Sequence, residues 1–141
     1  MSHTDLLARL PHRPPMRLVD EIVDIAPGQS IRARRTARPD DWYFQGHFPD
    51  QPVVPAVVLV ELLAQAGGLA ACSGDSAPPR GGLRVAAFGG FKFPAAAGPG
   101  AVLEATARVV GRIAGLIKIE GEVTADGVKV AAGSLTLAET R

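Results

Sequence analysis

The most constraining feature of this sequence is a nearly continuous apolar run from Val53 to Cys72. The run is long enough to cross a bilayer, but Glu61 and Gln65 stand at its middle and Pro55 interrupts its start. An acid at the centre of a membrane helix costs roughly 2.5–3.5 kcal/mol on insertion scales. We therefore expect a helix inside a protein core, beginning after Pro55 and buried on every side.

The segments around this run have the alternation of apolar and polar residues that is typical of strands. It predicts strands over 31–37, 103–109 and 117–123. Strands are also expected over 18–25, where the alternation is less clean, over 128–137, and from Leu83 onward, after an exposed loop over 73–82. Pro27-Gly28 and Asp126-Gly127 predict hairpin turns, and the last strand slips in phase around Ala131 to Gly133, as a bulge requires. The first ten residues predict a short helix that ends before Pro11.

This order predicts an α+β fold in which an antiparallel sheet wraps around one long central helix. Covering a helix on every side needs more surface than one chain of 141 residues supplies, so we expect a dimer as the minimal unit. With 47% hydrophobic residues, residues 1–141 are expected to form one domain.

The charges and the cysteine content narrow the partners and the compartment. Fifteen basic and fourteen acidic residues give a net charge of +1, too small to draw the whole molecule to nucleic acid or to a membrane surface. Cys72 has no second cysteine to pair with, and the N-terminus lacks the apolar stretch of a signal peptide. We expect a cytoplasmic protein in which Cys72 is an inert buried thiol.

Glu61 is the first candidate for chemistry. A carboxyl group in apolar surroundings is costly in its charged form, so it can hold a proton near neutrality and give it to a leaving group. The alternative is a structural acid held by a hydrogen bond, and the residues alone leave both open. Gln65 lies one turn further along on the same face, where it can orient Glu61.

His47 is the second candidate, in the sequence Gly46-His47-Phe48-Pro49. Three prolines keep the surrounding loop, 44–55, stiff. An imidazole suits proton abstraction at neutral pH. A lone loop histidine is more often merely solvated, but its pairing with the mid-helix carboxylate favours a catalytic role. Unpaired N–H groups at the helix start, near Ala56, can polarise a carbonyl.

Three stretches of the chain resemble the beta-hydroxyacyl-acyl-carrier-protein dehydratases of fatty-acid synthesis. They are LPHRPPMRLVDEIVDI at 10–25, FQGHFPDQPVVPAVVLVELLAQAGG at 44–68 and the weaker FGGFKFP at 88–94. The second stretch is the most specific, because it combines the GHFP loop, the proline before the helix, an acid fourteen residues after the histidine and a glutamine four residues further on.

The resemblance implies a hotdog fold and a lyase that removes water from a 3-hydroxyacyl thioester, carried by acyl carrier protein or coenzyme A, to give the trans-2-enoyl thioester. It implies that His47 removes the alpha proton and that Glu61 helps the beta-hydroxyl to leave as water, with no metal or organic cofactor. It also implies that the histidine of one subunit works with the acid of its neighbour, in a homodimer or a hexamer of three dimers. The expected substrate-binding residues are Gly46, Phe48, Val54, Ala56 and Gln65, beside an apolar tunnel along the central helix.

One position departs from the family pattern, which has glycine where this chain has Ala56. The added methyl group can crowd a thioester that must approach the backbone. Two alternatives stay open, a hydratase or thioesterase on the same fold and a non-catalytic module that binds acyl chains or carrier protein.

Several further residues receive minor roles. We expect His12 and Arg13 to brace the fold and His3 to belong to a mobile terminus. The basic side chains either dock an acidic carrier protein or form a solvated face. They are Arg32, Arg34 and Arg38 on one face of a strand, with Arg80, Arg84 and Lys92 elsewhere.

Overall fold

The computed structural model describes residues 2–74 and 82–139. Helix α1 is formed by His3–Leu7 and helix α2 by Ala56–Ala71, and a 3-10 helix spans Trp42–Phe44. The strands are β1 Glu21–Ala26, β2 Ser30–Thr36, β3 Leu83–Lys92, β4 Val102–Ile113, β5 Leu116–Ala125 and β6 Val128–Glu139.

All six strands form one antiparallel sheet in the order β1-β2-β4-β5-β6-β3. Helix α2 packs against β2, β4, β5 and β6. The predicted α+β architecture, a hotdog fold with the sheet wrapped around one helix, is confirmed. Strands β1 and β3 are the two edges of the sheet.

The core lies between α2 and the inner face of the sheet. Alternate residues of β4 and β5 point inward, and Leu103, Ala105 and Ile119 are completely buried, as are Leu62 and Leu63 of the helix. The alternation that predicted these strands therefore marks the face that meets α2. Burial of this apolar surface is the main stabilising contribution to the fold.

Two glycines let α2 lie very close to β5. A Cβ at Gly67 would lie 2.9 Å from the side chain of Ile119, and a Cβ at Gly121 would lie 2.8 Å from Leu63 Cδ1 and clash with the carbonyl oxygen of Thr106. Real Cβ atoms do not approach neighbours so closely. Glycine at residue 67 therefore allows the close approach of α2 to β5, and glycine at residue 121 allows the approach of both Leu63 and the neighbouring strand β4.

The structure corrects several boundaries. The first strand begins at Glu21 rather than at residue 18, although Leu18 is buried in the core, and β4 extends four residues beyond the predicted end at 109. The register of β6 shifts where Val123 faces Ala131 and the next residue faces Lys129, so the bulge lies just before the predicted 131–133. Most of the predicted loop over 73–82 lies outside the described residues.

The expectation that the central helix is buried on every side is wrong for its first turn in the protomer. Ala56 is exposed and the side chain of Val57 is 75% exposed, whereas the residues from Leu62 to Gly67 are buried. Among the described residues, no helix combines the length and the hydropathy needed to span a membrane.

Candidate active site

Local backbone hydrogen bonds hold the loop that carries His47. The His47 N–H donates to the Phe44 carbonyl at 3.1 Å, the Val53 N–H donates to the His47 carbonyl at 2.9 Å, and His47 Nδ1 lies 3.2 Å from the Val53 carbonyl oxygen. Gly46 supplies a left-handed turn with φ of +78°. Because a carbonyl oxygen only accepts, Nδ1 carries the hydrogen in this contact. The lone pair of His47 is then on Nε2, which is free to take a proton.

The other two predicted side chains of this loop lie in different surroundings. The Phe48 ring stacks on the His47 ring with 4.3 Å between centroids and is 55% exposed. Val54 is buried, and its N–H donates to the Ala97 carbonyl at 2.8 Å. The loop is thus tied to the segment that precedes β4, while Phe48 faces outward from the protomer.

A buried polar cluster supports the base of the loop. Asp41 Oδ2 accepts from Arg35 at 2.7 Å and from the Tyr43 hydroxyl at 2.6 Å, and Arg35 also lies 3.4 Å from Asp20. Burial, together with the bond to Asp41, raises the pKa of Tyr43 to about 12. Burial alone would raise the pKa of Asp41, but the hydrogen bonds from Tyr43 and Arg35 outweigh it and lower that pKa. Sequence reasoning missed this cluster, because its members lie on different segments.

Gln65 holds Glu61 from one side. Its Nε2 donates to Glu61 Oε2 at 2.9 Å and to the Met16 carbonyl at 2.8 Å, and its Oε1 accepts from the Leu18 N–H at 2.8 Å. Gln65 is 1% exposed. Because both amide hydrogens are already used, this side chain is placed to orient Glu61.

His12 was also missed as a site residue. Its Nε2 lies 3.4 Å from Glu61 Oε2, the same oxygen that Gln65 contacts. Within the described part of the chain, Glu61 Oε1 has no hydrogen-bond partner, and the Glu61 side chain is 30% exposed. The signal in the sequence was the position of His12 inside the first resembling stretch, 10–25.

Two cavities lie beside α2 at Glu61. One, of about 210 Å³, reaches Glu61 and is bounded by Arg84, Val85 and Leu137; the other, of about 220 Å³, continues along the helix to Leu69 and Cys72. Both are lined by His12, Ala64, Gln65 and Leu83. Glu61 therefore lines the first of two cavities that share lining residues along the central helix.

The structure does not bring His47 and Glu61 together within one protomer, since no hydrogen bond or ion pair joins these two described residues. At the helix start, the N–H groups of Val58 and Leu59 bond to the Pro55 carbonyl. The N–H groups of Ala56 and Val57 have no acceptor among the described residues. They carry the positive end of the helix dipole and can bind a carbonyl oxygen.

Comparison with known proteins shows the family of this chain. Residues 10–134, which include both His47 and Glu61, match the model of the FabA-like domain. The chain belongs to the FabA-like family. The family membership predicted from the three resembling stretches is therefore confirmed.

Relatives match this FabA-like chain over nearly its whole length. It is 35% identical over 141 residues to the 3-hydroxyacyl-[acyl-carrier-protein] dehydratase FabZ of Shewanella oneidensis, a match that covers 98% of this chain and 92% of the relative. It is 32% identical to the FabZ of Ruminiclostridium cellulolyticum, with 100% and 99% covered. The dehydratase heterocomplex ApeI:P from Xenorhabdus doucetiae shares the fold, with a TM-score of 0.77 at 19% identity and coverage of 100% and 93%.

Two of the basic residues predicted to dock a carrier protein or to form a solvated face are paired with acidic residues of the same chain. Arg34 lies 3.1 Å from Glu21 and 3.3 Å from Glu104, and Arg38 lies beyond the end of β2 and 3.0 Å from Asp20. Arg80 lies outside the described residues. Much of the predicted basic face is therefore neutralised by neighbouring acids.

Two minor expectations have clear outcomes. His3 is not at a free terminus, because it begins α1 and its Nδ1 lies 2.9 Å from the Ile22 carbonyl oxygen. Cys72 is half-buried, and burial raises the pKa of its thiol, as suits an unreactive cysteine. No group of three metal-binding side chains occurs within 2–74 and 82–139.

Proposed function

We propose that this chain is a 3-hydroxyacyl-acyl-carrier-protein dehydratase, which removes water from a 3-hydroxyacyl thioester to give the trans-2-enoyl thioester. The observation that carries the proposal is that two side chains of this FabA-like chain, His47 and Glu61, each have an atom available for proton transfer. His47 has an unoccupied Nε2, and Glu61 has one unoccupied oxygen beside a cavity. One group suits a base and the other an acid.

In the proposed reaction, His47 Nε2 takes a proton from C2 of the acyl chain. The electron pair of that C–H bond forms the C2–C3 double bond, and the C3–O bond breaks. Glu61 gives the proton on Oε1 to the departing hydroxyl, which leaves as water. His47 ends as imidazolium and Glu61 as carboxylate, and return of the proton from His47 to Glu61 restores the starting state. Each proton transfer contributes roughly 10²–10⁴-fold.

The start of α2 supplies the third part of the proposed site. Abstraction of a proton from C2 places negative charge on the thioester oxygen, and the N–H groups of Ala56 and Val57 can stabilise it. The side chain of Ala56 is small, but its methyl group occupies space beside these donors. The proposal needs neither a metal nor an organic cofactor.

We further propose that the working unit is a homodimer in which His47 of one protomer faces Glu61 of the other. Three exposed apolar side chains support this, since Val57 is 75% exposed, Phe88 64% and Phe48 55%. Phe88 lies on the open edge strand β3, and Phe48 stacks on His47. A second protomer that packs against these apolar residues would bury them, and we propose that it brings His47 of one protomer to Glu61 of the other.

The assembly into three such dimers, a cytoplasmic location and the action of residues 1–141 as one domain also belong to the proposal. The carrier of the substrate is acyl carrier protein or coenzyme A.

The direct test is to mix the purified protein with a 3-hydroxyacyl thioester on each carrier and to follow the conjugated enoyl product by ultraviolet absorbance. His47→Ala and Glu61→Gln should each lower the rate at least about 10²-fold. His3→Ala and Glu122→Gln, which alter residues outside the proposed site, serve as matched controls and should keep the wild-type rate. Absence of product on both carriers contradicts the proposal, and release of a free thiol instead would identify a thioesterase.

The shared site has its own test, in which the two inactive variants are unfolded together and refolded. Random pairing makes half of the dimers mixed, and each mixed dimer has one intact site of two, so the mixture should regain roughly one quarter of wild-type activity. Each variant refolded alone should stay inactive. No recovery in the mixture would show that the two residues do not act across a subunit boundary.

A further inference from the structure

We propose that His12 is a positioning residue for Glu61, which fixes the carboxyl group so that its reactive proton is held on Oε1. This inference rests on the proposed function, because it assigns a role within the same site. The feature that carries it is the convergence of two side chains on one oxygen. His12 Nε2 and Gln65 Nε2 lie 3.4 Å and 2.9 Å from Glu61 Oε2.

The backbone around His12 is held independently of Glu61. Leu10 is 5% exposed and belongs to the core. Arg13 Nη1 donates to the Leu10 carbonyl at 2.7 Å and to the His12 carbonyl at 2.8 Å. The imidazole therefore projects from an anchored segment, and its contact with Glu61 does not depend on a mobile loop.

The state of the ring follows from its two nitrogens. His12 Nδ1 is buried and has no hydrogen-bond partner among the described residues. A carboxyl oxygen that faces Nε2 and an amide N–H accepts from both, so Nε2 carries the hydrogen. The separation of 3.4 Å is longer than a good hydrogen bond, and such contacts often tighten when substrate is bound.

The two oxygens of Glu61 have different surroundings, and this difference determines which of them holds the proton. Gln65 donates to Oε2 at 2.9 Å and His12 Nε2 lies 3.4 Å from the same oxygen, so a proton on Oε2 would oppose both groups and the proton of Glu61 is held on Oε1. Oε1 is the oxygen without a partner in the described part of the chain, beside the cavity of about 210 Å³. When Oε1 gives its proton to the departing hydroxyl, the negative charge that forms is shared with Oε2. The two donors then stabilise the product of the transfer more than its start.

Gln65 alone would not achieve the same control. One donor leaves the carboxyl group free to rotate about that contact, whereas two donors from different segments fix its plane. Gln65 comes from α2 and His12 from the segment before β1, so they approach Oε2 from two parts of the fold. His12 therefore acts through Glu61 and differs in role from the proposed base, His47.

The test compares two substitutions at residue 12 in the dehydration assay. His12→Leu fills similar space without a donor and should lower kcat by roughly tenfold to a hundredfold, with KM changed by less than about threefold. His12→Gln keeps an N–H within reach of Oε2 and should stay within about threefold of the wild-type kcat. His3→Leu is the matched control, since it removes a histidine whose ring contacts a backbone carbonyl instead of Glu61.

A second measurement separates positioning from support of the fold. Glu61→Asp keeps an acid but withdraws it by one methylene from both donors, so adding His12→Leu to that variant should cost less than about threefold. A purely structural effect would be the same in both backgrounds. If His12→Leu does not fold, His12→Ala, which also lacks a donor, takes its place in both backgrounds.

The outcomes are distinct. An unchanged kcat in His12→Leu, a rise in KM alone, or equal losses in His12→Leu and His12→Gln would each overturn the positioning role while leaving dehydration intact. Failure of the wild-type protein to form any enoyl product would instead overturn the proposed function itself.

Discussion

Replacing Gly121 by alanine should force β4 away from β5 and destabilise the fold. The added Cβ would lie 2.8 Å from Leu63 Cδ1 and 3.1 Å from Ala107 Cα, and it would clash with the carbonyl oxygen of Thr106. Leu63 can adopt another rotamer, but the other two contacts are backbone atoms of the neighbouring strand. Relief therefore requires separation of β4 from β5 at this point.

The magnitude follows from the cost of overpacking, which is typically 1–3 kcal/mol. Because two of the three contacts at Gly121 are backbone atoms, we expect the upper end of that range, about 3 kcal/mol. For a chain of this length the melting temperature should fall by roughly 6–12 °C. Leu63 is two positions from Glu61, so a shift of α2 should also lower kcat at temperatures where the variant remains folded.

The assay is urea denaturation followed by circular dichroism, with Gly111→Ala as the matched control. Gly111 lies in the same sheet, and its new Cβ would meet no described atom within 4 Å. The control should change the free energy of unfolding by less than about 1 kcal/mol. Both variants are compared at one protein concentration, because assembly makes the midpoint concentration-dependent. Equal stability of the two variants would refute the close approach of β4 and of Leu63 to Gly121.

Three further predictions concern single groups. Tyr43 is the one tyrosine of the sequence, so near-ultraviolet absorbance should show it ionising at pH about 12. Its neutral form should stabilise the fold below pH 10, and this stabilisation should be lost as the pH rises through 12. Ionisation near 10 in folded protein would contradict the buried bond to Asp41. Because the folded pKa of Asp41 is below 3.8, its charged form stabilises the protein above that pH, and wild type should lose more free energy of unfolding than Asp41→Asn as the pH falls through and below 3.8 in acid titrations of stability. Ala56→Gly should raise kcat or lower KM in the dehydration assay by removing the methyl group beside the thioester, and unchanged values of both would show that no crowding occurs there.

The sequence predicted what depends on local pattern. Alternation located β4, β5 and β6, and the Asp126-Gly127 turn has the positive φ angles, 48° and 86°, that its sequence favours. The ends were less accurate, because β4 continues to Ile113 through residues that are exposed on both faces of the ribbon. Where neither face is buried, hydrophobic alternation carries no signal.

The site was predictable only in part, for a similar reason. His47, Glu61 and Gln65 lie close together in the chain, and their spacing against Pro55 made them visible. His12 was assigned to bracing because it lies 49 positions from Glu61 in the sequence, and nothing local to either residue indicates that they meet at 3.4 Å. The cluster of Arg35, Asp41 and Tyr43 escaped prediction because it depends on tertiary contacts.

The two edges of the sheet differ in how well they resist unwanted association. Strand β1 carries Glu21 and Asp24 and an irregular register near Ile22, features that discourage pairing with foreign strands. Strand β3 has charges only near its ends, and residues 85–91 between them are uncharged and include exposed Phe88. Such a segment favours aggregation while its edge is open. A newly synthesised protomer is therefore at greatest risk before its β3 edge is covered, and substitutions that weaken assembly should lower the yield of soluble protein before they affect the folded core.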